Sequence, residues 1–208
     1  MITQTKETQE ALSPDGAIAL LKDGNARFIT KTMTERDLIK QVEQTASGQY
    51  PFATILSCID SRVSAELVFD QGVGDIFSVR VAGNIVNEDL LGSMEFACKL
   101  AGTKVIVVLG HTACGAVKGA CDDAKMGNLT LLLSRIRAAV DAVSEPTEPE
   151  NRTSKNATFV NAVAEKNVAI TIENIRHRSN VLREMEEFGD IKIVGAMYDI
   201  SDGKVHWL

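Results

Sequence analysis

The sequence lacks an apolar run of the roughly 20 residues that a helix needs to cross a bilayer, so we expect no membrane-spanning segment. It also lacks an excess of basic residues, since 22 lysines and arginines stand against 28 aspartates and glutamates, a formal net charge of −6. This net charge does not favour binding to the phosphate backbone of nucleic acids, and we expect no nucleic-acid partner. Residues 1–7 lack the basic start and apolar centre of a secretory signal, which favours a cytoplasmic location.

Cysteine is scarce, with four in 208 residues. So few cysteines without an export signal do not indicate a disulfide framework. Cys98 and Cys121 are interpreted as small buried core residues, the usual role of an unpaired thiol. Cys58 and Cys114 differ, because each follows an apolar strand and has other metal-ligand side chains nearby.

The chain has the composition of a globular protein, with 45% hydrophobic and 24% charged residues. Its length predicts one domain over residues 1–208. Apolar segments that alternate with helical patterns predict an α/β fold, with a mostly parallel β-sheet flanked by helices. We expect four parallel strands plus an antiparallel edge strand after the Asp202-Gly203 turn. An N-terminal helical arm (residues 1–46) is expected to lie outside the α/β body (residues 47–208) and to pack on a neighbouring subunit. The predicted strands cover residues 53–57, 76–81, 104–109, 191–198 and 205–208, and the predicted helices cover residues 13–30, 35–46, 65–69, 87–101, 115–123, 129–143 and 161–188, the last with a break or kink near 167–168.

Two of these strands end in metal-ligand side chains. Cys58 follows the first strand, and His111 and Cys114 follow the third. The carboxyl ends of parallel strands frame a common crevice, and catalytic zinc takes three protein ligands of this kind plus a water. An isolated histidine is more often a hydrogen-bonded loop residue, and a thioredoxin-like redox pair would need two closely spaced cysteines. The three residues together favour a zinc site.

Asp60 and Arg62 form a second group beside Cys58. An aspartate two residues from an arginine is usually a solvated or structural ion pair. Here the functional interpretation is that Arg62 holds the Asp60 carboxylate ionised and oriented by a bidentate pair. Asp60 could then accept a hydrogen bond from water on the metal, or bind the metal itself if Arg62 lets go.

These motifs resemble a known signature. CIDSR at residues 58–62, with HTACG at residues 111–115, is similar to the paired signature of the β-class carbonic anhydrases. The resemblance extends to RVAGN at residues 80–84, to Gly48-Gln49 before the first strand, to the two N-terminal helices and to the final strand. It therefore covers nearly the whole chain.

The resemblance implies a zinc enzyme that reversibly hydrates carbon dioxide to bicarbonate and a proton, by attack of zinc-bound hydroxide. It implies one Zn²⁺ per subunit, with Cys58, His111 and Cys114 as metal ligands. Asp60 and Arg62 would form the catalytic dyad, and Asp60 would become a fourth ligand only in a closed state.

The resemblance also implies a substrate pocket and self-association. Homodimers and homotetramers are both typical of the family, and in some members part of the pocket comes from the partner subunit. An early tryptophan that forms a non-catalytic bicarbonate site in some members is absent, because the only tryptophan is Trp207. The expected substrate-binding residues are Gln49, Phe77, Ala82, Phe96 and Gly115.

Two other functions stay open at this point. A hydrolase of carbonyl sulfide or carbon disulfide would keep the fold and the metal, since both substrates are linear like carbon dioxide. A non-catalytic zinc-binding or bicarbonate-binding module would instead have all four metal positions filled by protein. An assay of carbon dioxide hydration together with metal analysis separates these functions.

Overall fold

The computed structural model describes residues 3–208; Met1 and Ile2, which the single-domain expectation includes, lie outside the described residues. The strands are β1 (Ala53–Ser57), β2 (Ile76–Arg80), β3 (Val105–His111), β4 (Lys192–Tyr198) and β5 (Val205–Trp207). The α-helices are α1 (Lys6–Glu10), α2 (Pro14–Ile29), α3 (Leu38–Thr45), α4 (Ala65–Val68), α5 (Glu88–Glu95), α6 (Gly115–Cys121), α7 (Gly127–Ser134), α8 (Arg137–Ala142), α9 (Ala157–Arg178) and α10 (Asn180–Glu187). None of these helices is both long and apolar enough to cross a membrane.

The five strands form one sheet in the order β2-β1-β3-β4-β5. β1 runs parallel to both β2 and β3, β3 runs parallel to β4, and β5 is antiparallel to β4. The predicted fold class is therefore confirmed. β1 and β3 are buried along their whole length, which explains why they appear in the sequence as continuous apolar runs.

The sheet separates two hydrophobic cores. Successive side chains of a strand point to opposite faces, so Ile106 and Val108 of β3 belong to one core while Val105 and Val107 belong to the other. The first core is covered by helices α5 to α10. The second is closed by α2 and α4. Both faces of the sheet are thus covered, as parallel sheets require.

Helix α2 does not lie outside the body, and this part of the arm prediction is wrong. Ala17 and Leu21 are fully buried in the second core. Asn25 Nδ2 donates hydrogen bonds to the backbone oxygens of Val68 (3.0 Å) and Gly203 (2.9 Å). An amphipathic helix can cover its own sheet or that of a neighbour with the same apolar face, and the sequence pattern does not distinguish the two.

Several helix boundaries also differ from the prediction. Residues 129–143 fall in two helices, α7 and α8, rather than one. The break in the last long helical segment lies at Ser179, whose extended backbone ends α9 and whose Oγ accepts from Leu182 N (3.2 Å) to cap α10. Residues 167–168 lie inside α9. Helix α5 ends in a π-helical turn (Phe96–Leu100), β3 extends to His111, and α1 was not predicted.

A buried carboxylate, Asp70, ties the segment between α2 and α3 to the body. Arg27 Nε lies 2.5 Å from Asp70 Oδ2, and the Arg36 guanidinium contacts Oδ1. The Thr34 backbone N–H and hydroxyl each donate to Oδ2 at 3.1 Å. Burial alone would raise the pKa of Asp70, but these hydrogen bonds together outweigh it and hold the pKa below its ordinary value.

Asp70→Asn is expected to lower the free energy of unfolding by about 3–5 kcal/mol at pH 7, because it removes the anion that both guanidinium groups contact. The native pKa lies below the unfolded value of about 3.9, so this stabilisation is complete above that pH and is lost as the pH falls through the native pKa. Urea unfolding at pH 7 and pH 3 measures both effects. The matched control is Asp141→Asn, an exposed pair with Arg137, which should cost under about 1 kcal/mol. Equal losses in the two variants at pH 7 would contradict the prediction.

Candidate metal centre and active site

The sheet brings three metal-ligand side chains together. Cys58 directly follows β1, His111 is the last residue of β3, and Cys114 is the N-cap of α6. β1 and β3 are paired neighbours, with Ser57 beside Leu109, so their carboxyl ends lie at the same edge. One ligand atom from each of the three residues lies within 4.8 Å of the others, and all three residues are buried.

His111 presents an unpaired ring nitrogen to this cluster. Its Nδ1 lies 2.9 Å from the Thr112 backbone oxygen. A carbonyl oxygen only accepts, so Nδ1 carries the proton and Nε2 carries a lone pair. Within the described chain, Nε2 is buried and has no hydrogen-bond partner. Such an acceptor is costly to bury unless something binds it, and a hydrogen bond at Nδ1 is the arrangement that orients a metal-binding histidine.

The two thiols of the cluster lie in contact. Cys58 Sγ lies 3.9 Å from Cys114 Sγ. This contact lowers the pKa of Cys58 to about 4 and raises the pKa of Cys114, because a hydrogen bond between the two sulfurs favours a thiolate at Cys58 and a thiol at Cys114. A thiolate, a second thiol and an imidazole lone pair are the donor set that zinc prefers, so the residues present fit a zinc ion.

Asp60 is held by Arg62. Arg62 Nε donates to Asp60 Oδ1 (2.9 Å) and Nη2 donates to Oδ2 (2.7 Å), and the Arg62 backbone N–H adds a third bond to Oδ1 (3.0 Å). These bonds hold the pKa of Asp60 well below its usual range. Oδ2 also lies 3.9 Å from His111 Nε2. The carboxylate therefore sits at the edge of the cluster, ionised and fixed by a bidentate pair.

Two further residues, Gly83 and Asn167, hold the Cys58 side chain in place. Gly83 N donates to Cys58 Sγ (3.3 Å), and Asn167 Nδ2 donates to the Gly83 oxygen (2.8 Å). Gly83 has a φ of 70°, and a Cβ at this position would lie 2.5 Å from Ile136 Cδ1. Both facts favour glycine. Gly83 is part of the RVAGN motif, whereas nothing in the sequence signals that Asn167 of α9 reaches this loop.

Arg80, at the end of β2, forms hydrogen bonds to the backbone of the same loop. Its Nε donates to the Cys58 backbone oxygen (3.0 Å) and its Nη2 donates to the Asp60 backbone oxygen (2.7 Å). Arg80 thus fixes the backbone on both sides of Ile59. In the sequence, Arg80 is visible only as part of the RVAGN motif, and no local pattern signals its role.

Arg80→Gln is expected to weaken zinc binding by about tenfold or more, since groups that orient metal ligands contribute factors of about 10–100 to metal affinity or activity. A competition titration with a chromophoric chelator measures the change. Arg183→Gln is the control, because Arg183 is an exposed arginine whose partner, Glu187, lies on the same helix. Wild-type zinc affinity in the Arg80 variant would show that the hydrogen bonds of Arg80 do not position the ligands.

A small cavity of about 280 Å³ opens beside the cluster. It brings two of the expected substrate residues, Ala82 and Gly115, to the same place as Cys58 and Asp60. The other walls are apolar, which suits a small uncharged molecule. Its lining residues are Cys58, Ile59, Asp60, Ala82, Gly115, Ala116, Gly119, Leu129 and Leu133.

The other expected substrate residues, Gln49, Phe77 and Phe96, do not line this cavity. Gln49 is exposed and precedes β1, so it lies toward the opposite end of that strand from Cys58. Phe77 is paired in register with Thr54 near the amino end of the sheet. Its ring packs edge-on against Phe96, with centroids 6.3 Å apart, and both rings line a separate open cavity of about 830 Å³.

The remaining cysteines lie apart from the cluster. Cys98 and Cys121 are buried, and burial raises the pKa of each thiol to about 11. The Thr103 hydroxyl donates to Cys98 Sγ at 3.3 Å. These two thiols are core residues, as the sequence predicted.

Fold and site together define a class of protein: an open α/β sheet with a Cys₂His cluster, fitted to a metal ion, at the carboxyl ends of two adjacent strands. Comparison with known proteins agrees. A family model described as carbonic anhydrase matches residues 53–205, and the chain belongs to the carbonic anhydrase family.

Individual relatives agree with the β class. Carbonic anhydrase 2 of Mycobacterium tuberculosis is 35% identical over 193 residues, which cover 92% of this chain and 91% of that protein. The β-carbonic anhydrase CafA of Aspergillus fumigatus is 25% identical, with a TM-score of 0.68 over 93% of this chain and 89% of its own. A tetrameric β-carbonic anhydrase of Sordaria macrospora, 24% identical, has the same fold, with a TM-score of 0.68 over 81% of this chain and 89% of its own.

Proposed function

We propose that this chain, as one catalytic domain over residues 1–208, reversibly hydrates carbon dioxide to bicarbonate and a proton. The observation that carries this proposal is the buried Cys58–His111–Cys114 cluster, which opens on a small apolar cavity beside an ionised Asp60. Family membership supports the reaction.

Cys58, His111 and Cys114 would hold one Zn²⁺. When bound, zinc lowers the pKa of a coordinated water from about 15.7 to about 7, and thereby supplies a nucleophile at neutral pH. The two cysteines would bind as thiolates, whose charges offset that of the ion. The hydrogen bond from His111 Nδ1 to the Thr112 oxygen keeps Nε2 available throughout.

Asp60 would orient the attacking water. Its carboxylate is ionised at neutral pH and can only accept hydrogen bonds. A water that donates to Asp60 Oδ2 has its oxygen lone pair turned away from the carboxylate, toward a carbon dioxide molecule in the cavity. Arg62 keeps the carboxylate in this position, since both carboxylate oxygens accept from its guanidinium.

The closed state, with Asp60 as a fourth metal ligand, needs Arg62 to release the carboxylate. The arrangement described above, with three hydrogen bonds from Arg62 to Asp60, supports the open state. It also disfavours a non-catalytic module, because that function requires all four metal positions to be filled by protein.

Stopped-flow measurement of carbon dioxide hydration by the zinc-loaded protein tests the proposed function. We expect turnover that requires stoichiometric zinc. Hydrolysis of carbonyl sulfide or carbon disulfide without hydration would instead assign the chain to the sulfur substrates. Stoichiometric zinc with neither activity would make it a binding module.

We also propose that the chain self-associates, as a homodimer or homotetramer, and that Gln49, Phe77 and Phe96 reach the substrate cavity of a partner subunit. In their own chain these residues do not line the cavity beside Cys58. β2 is an edge of the sheet, and Phe96 beside it is 53% exposed. An open edge with exposed aromatic side chains is a surface that association would cover.

Phe96→Glu is expected to reduce the molar mass in solution to that of one chain and to lower turnover, because a buried charge without a partner opposes the interface. Light scattering after size-exclusion chromatography measures the mass. Phe188→Glu is the matched control, since Phe188 is 81% exposed and lies at the end of α10; its mass should not change. An unchanged oligomer in the Phe96 variant would place the interface elsewhere.

Two further expectations concern location and partners. The cytoplasmic location and the lack of a nucleic-acid partner stay predictions from residues 1–7 and from the net charge of −6. Helix α2 forms part of the core of its own chain. A deletion of residues 1–46 would remove its core side chains, and we propose that it destabilises the fold itself.

A further inference from the structure

A second cavity, of about 210 Å³, lies behind the metal centre, between α9, the segment that follows Gly83, and the end of α7. Two arginines, two asparagines and a threonine line it, together with three aliphatic side chains, and no acidic side chain does. Its lining residues are Ile85, Val86, Arg135, Asn167, Ile170, Thr171, Asn174 and Arg178.

One of the two positive charges at this cavity is paired. Arg178 donates to Glu88 Oε1 (2.6 Å) and to the Val86 backbone oxygen (3.3 Å). Glu88 is 79% exposed at its side chain and lies outside the lining, whereas the Arg178 side chain is only 28% exposed. These two bonds use two of the five N–H donors of the Arg178 guanidinium. The ion pair with Glu88 offsets the charge of Arg178, and three of its N–H donors have no partner in the described chain.

Arg135 adds a second positive charge. Within the described chain it makes no side-chain hydrogen bond and no ion pair within 4 Å, and it acts on Glu88 only through longer-range attraction. Asn174 likewise has no side-chain hydrogen bond in the described chain, whereas the Asn167 amide nitrogen is already bound to Gly83. Guanidinium groups and amide N–H groups around a cavity match an oxyanion in both charge and hydrogen-bond geometry.

We propose that this cavity binds a small dianionic oxyanion of the phosphate class, held chiefly by Arg135 and Arg178 with Asn174 as a further donor. The cavity has room for such a group and some water, since a water molecule takes about 30 Å³, and its size excludes a macromolecule. The proposal goes beyond carbon dioxide hydration, because no residue of this cavity lines the one beside Cys58.

Isothermal titration of the zinc-loaded protein with inorganic phosphate tests the proposal. We expect one saturable site per chain in the wild type, and at least tenfold weaker binding in Arg135→Gln and in Asn174→Ala. Arg135 has no partner to lose, so its variant should fold normally. Arg137→Gln is the matched control, because Arg137 lies two residues from Arg135, carries the same charge and is already paired with Asp141. The affinity of this variant for phosphate should equal that of the wild type.

Other outcomes of the titration overturn the proposal. Equal affinity in the wild type and in Arg135→Gln would show that phosphate binds elsewhere, for example at the zinc. Equal weakening in the Arg135 and Arg137 variants would show a general effect of net charge. Comparison with a small phosphomonoester identifies the source of the anion, because tighter binding of the ester assigns the cavity to an esterified phosphate and tighter binding of inorganic phosphate assigns it to the free ion.

Discussion

Cys114→Ala is expected to abolish stoichiometric zinc binding and, with it, carbon dioxide hydration. The substitution removes one of the three ligand atoms that lie within 4.8 Å of one another and leaves Cys58 and His111 to hold the ion. Groups that only orient ligands already contribute factors of about 10–100, so loss of a ligand should cost more than about a hundredfold in zinc affinity. Metal analysis of the purified protein and stopped-flow hydration measure the two losses.

Cys98→Ala is the matched control for this experiment. It also removes a buried thiol, but one that lies in the core and accepts only a hydrogen bond from Thr103. We expect some loss of stability, with zinc content and turnover retained. If the Cys114 variant kept one zinc per chain, or if both variants lost zinc equally, the metal centre described here would be wrong.

Asp60→Asn is expected to lower the turnover of carbon dioxide hydration by about 10²–10⁴-fold, the usual contribution of a positioned proton-accepting group. The neutral amide keeps the size of the carboxylate but can offer only one oxygen to Arg62, so the bidentate pair is lost. It also presents an NH₂ group where the water needs an acceptor. Zinc content should stay at one per chain, because Asp60 is not a ligand in the open state.

The control for Asp60 is Asp202→Asn, which changes an exposed carboxylate in the turn before β5. Its turnover and zinc content should match those of the wild type. Unchanged turnover in the Asp60 variant would remove the dyad from the mechanism. Loss of zinc from that variant would instead give Asp60 a ligand role near neutral pH.

Much of the fold could be predicted from local hydrophobic patterns in the sequence. β1 and β3 are short apolar runs, and both were predicted because a strand buried on both faces needs apolar side chains at every position. The zinc site followed from the same strands. Once β1 and β3 are parallel neighbours, Cys58 and His111 must emerge at the same edge of the sheet, and Cys114 follows three residues later.

Long-range contacts were not predictable in this way. The apolar face of α2 could have covered either its own sheet or a neighbour, and only the packing of Leu21 in the second core decided between them. The π-helical turn after α5 and the break at Ser179 likewise depend on tertiary packing, which overrides helical propensity. Gln49, Phe77 and Phe96 were assigned by resemblance alone, and their distance from the cavity beside Cys58 became visible only in three dimensions.

The sequence by itself determined the alternation of strands and helices in the α/β body and the residues of the Cys58–His111–Cys114 cluster, because hydrophobic periodicity and ligand chemistry are properties of neighbouring residues. Only the tertiary structure decided how those side chains are held. Arg80 and Gly83 from one segment and Asn167 from α9 support the Cys58 loop. The cavity of Arg135 and Arg178 likewise combines α7, α9 and the segment after Gly83. Contacts between residues so far apart in sequence arise from the packing of whole helices on the sheet, which no local pattern records.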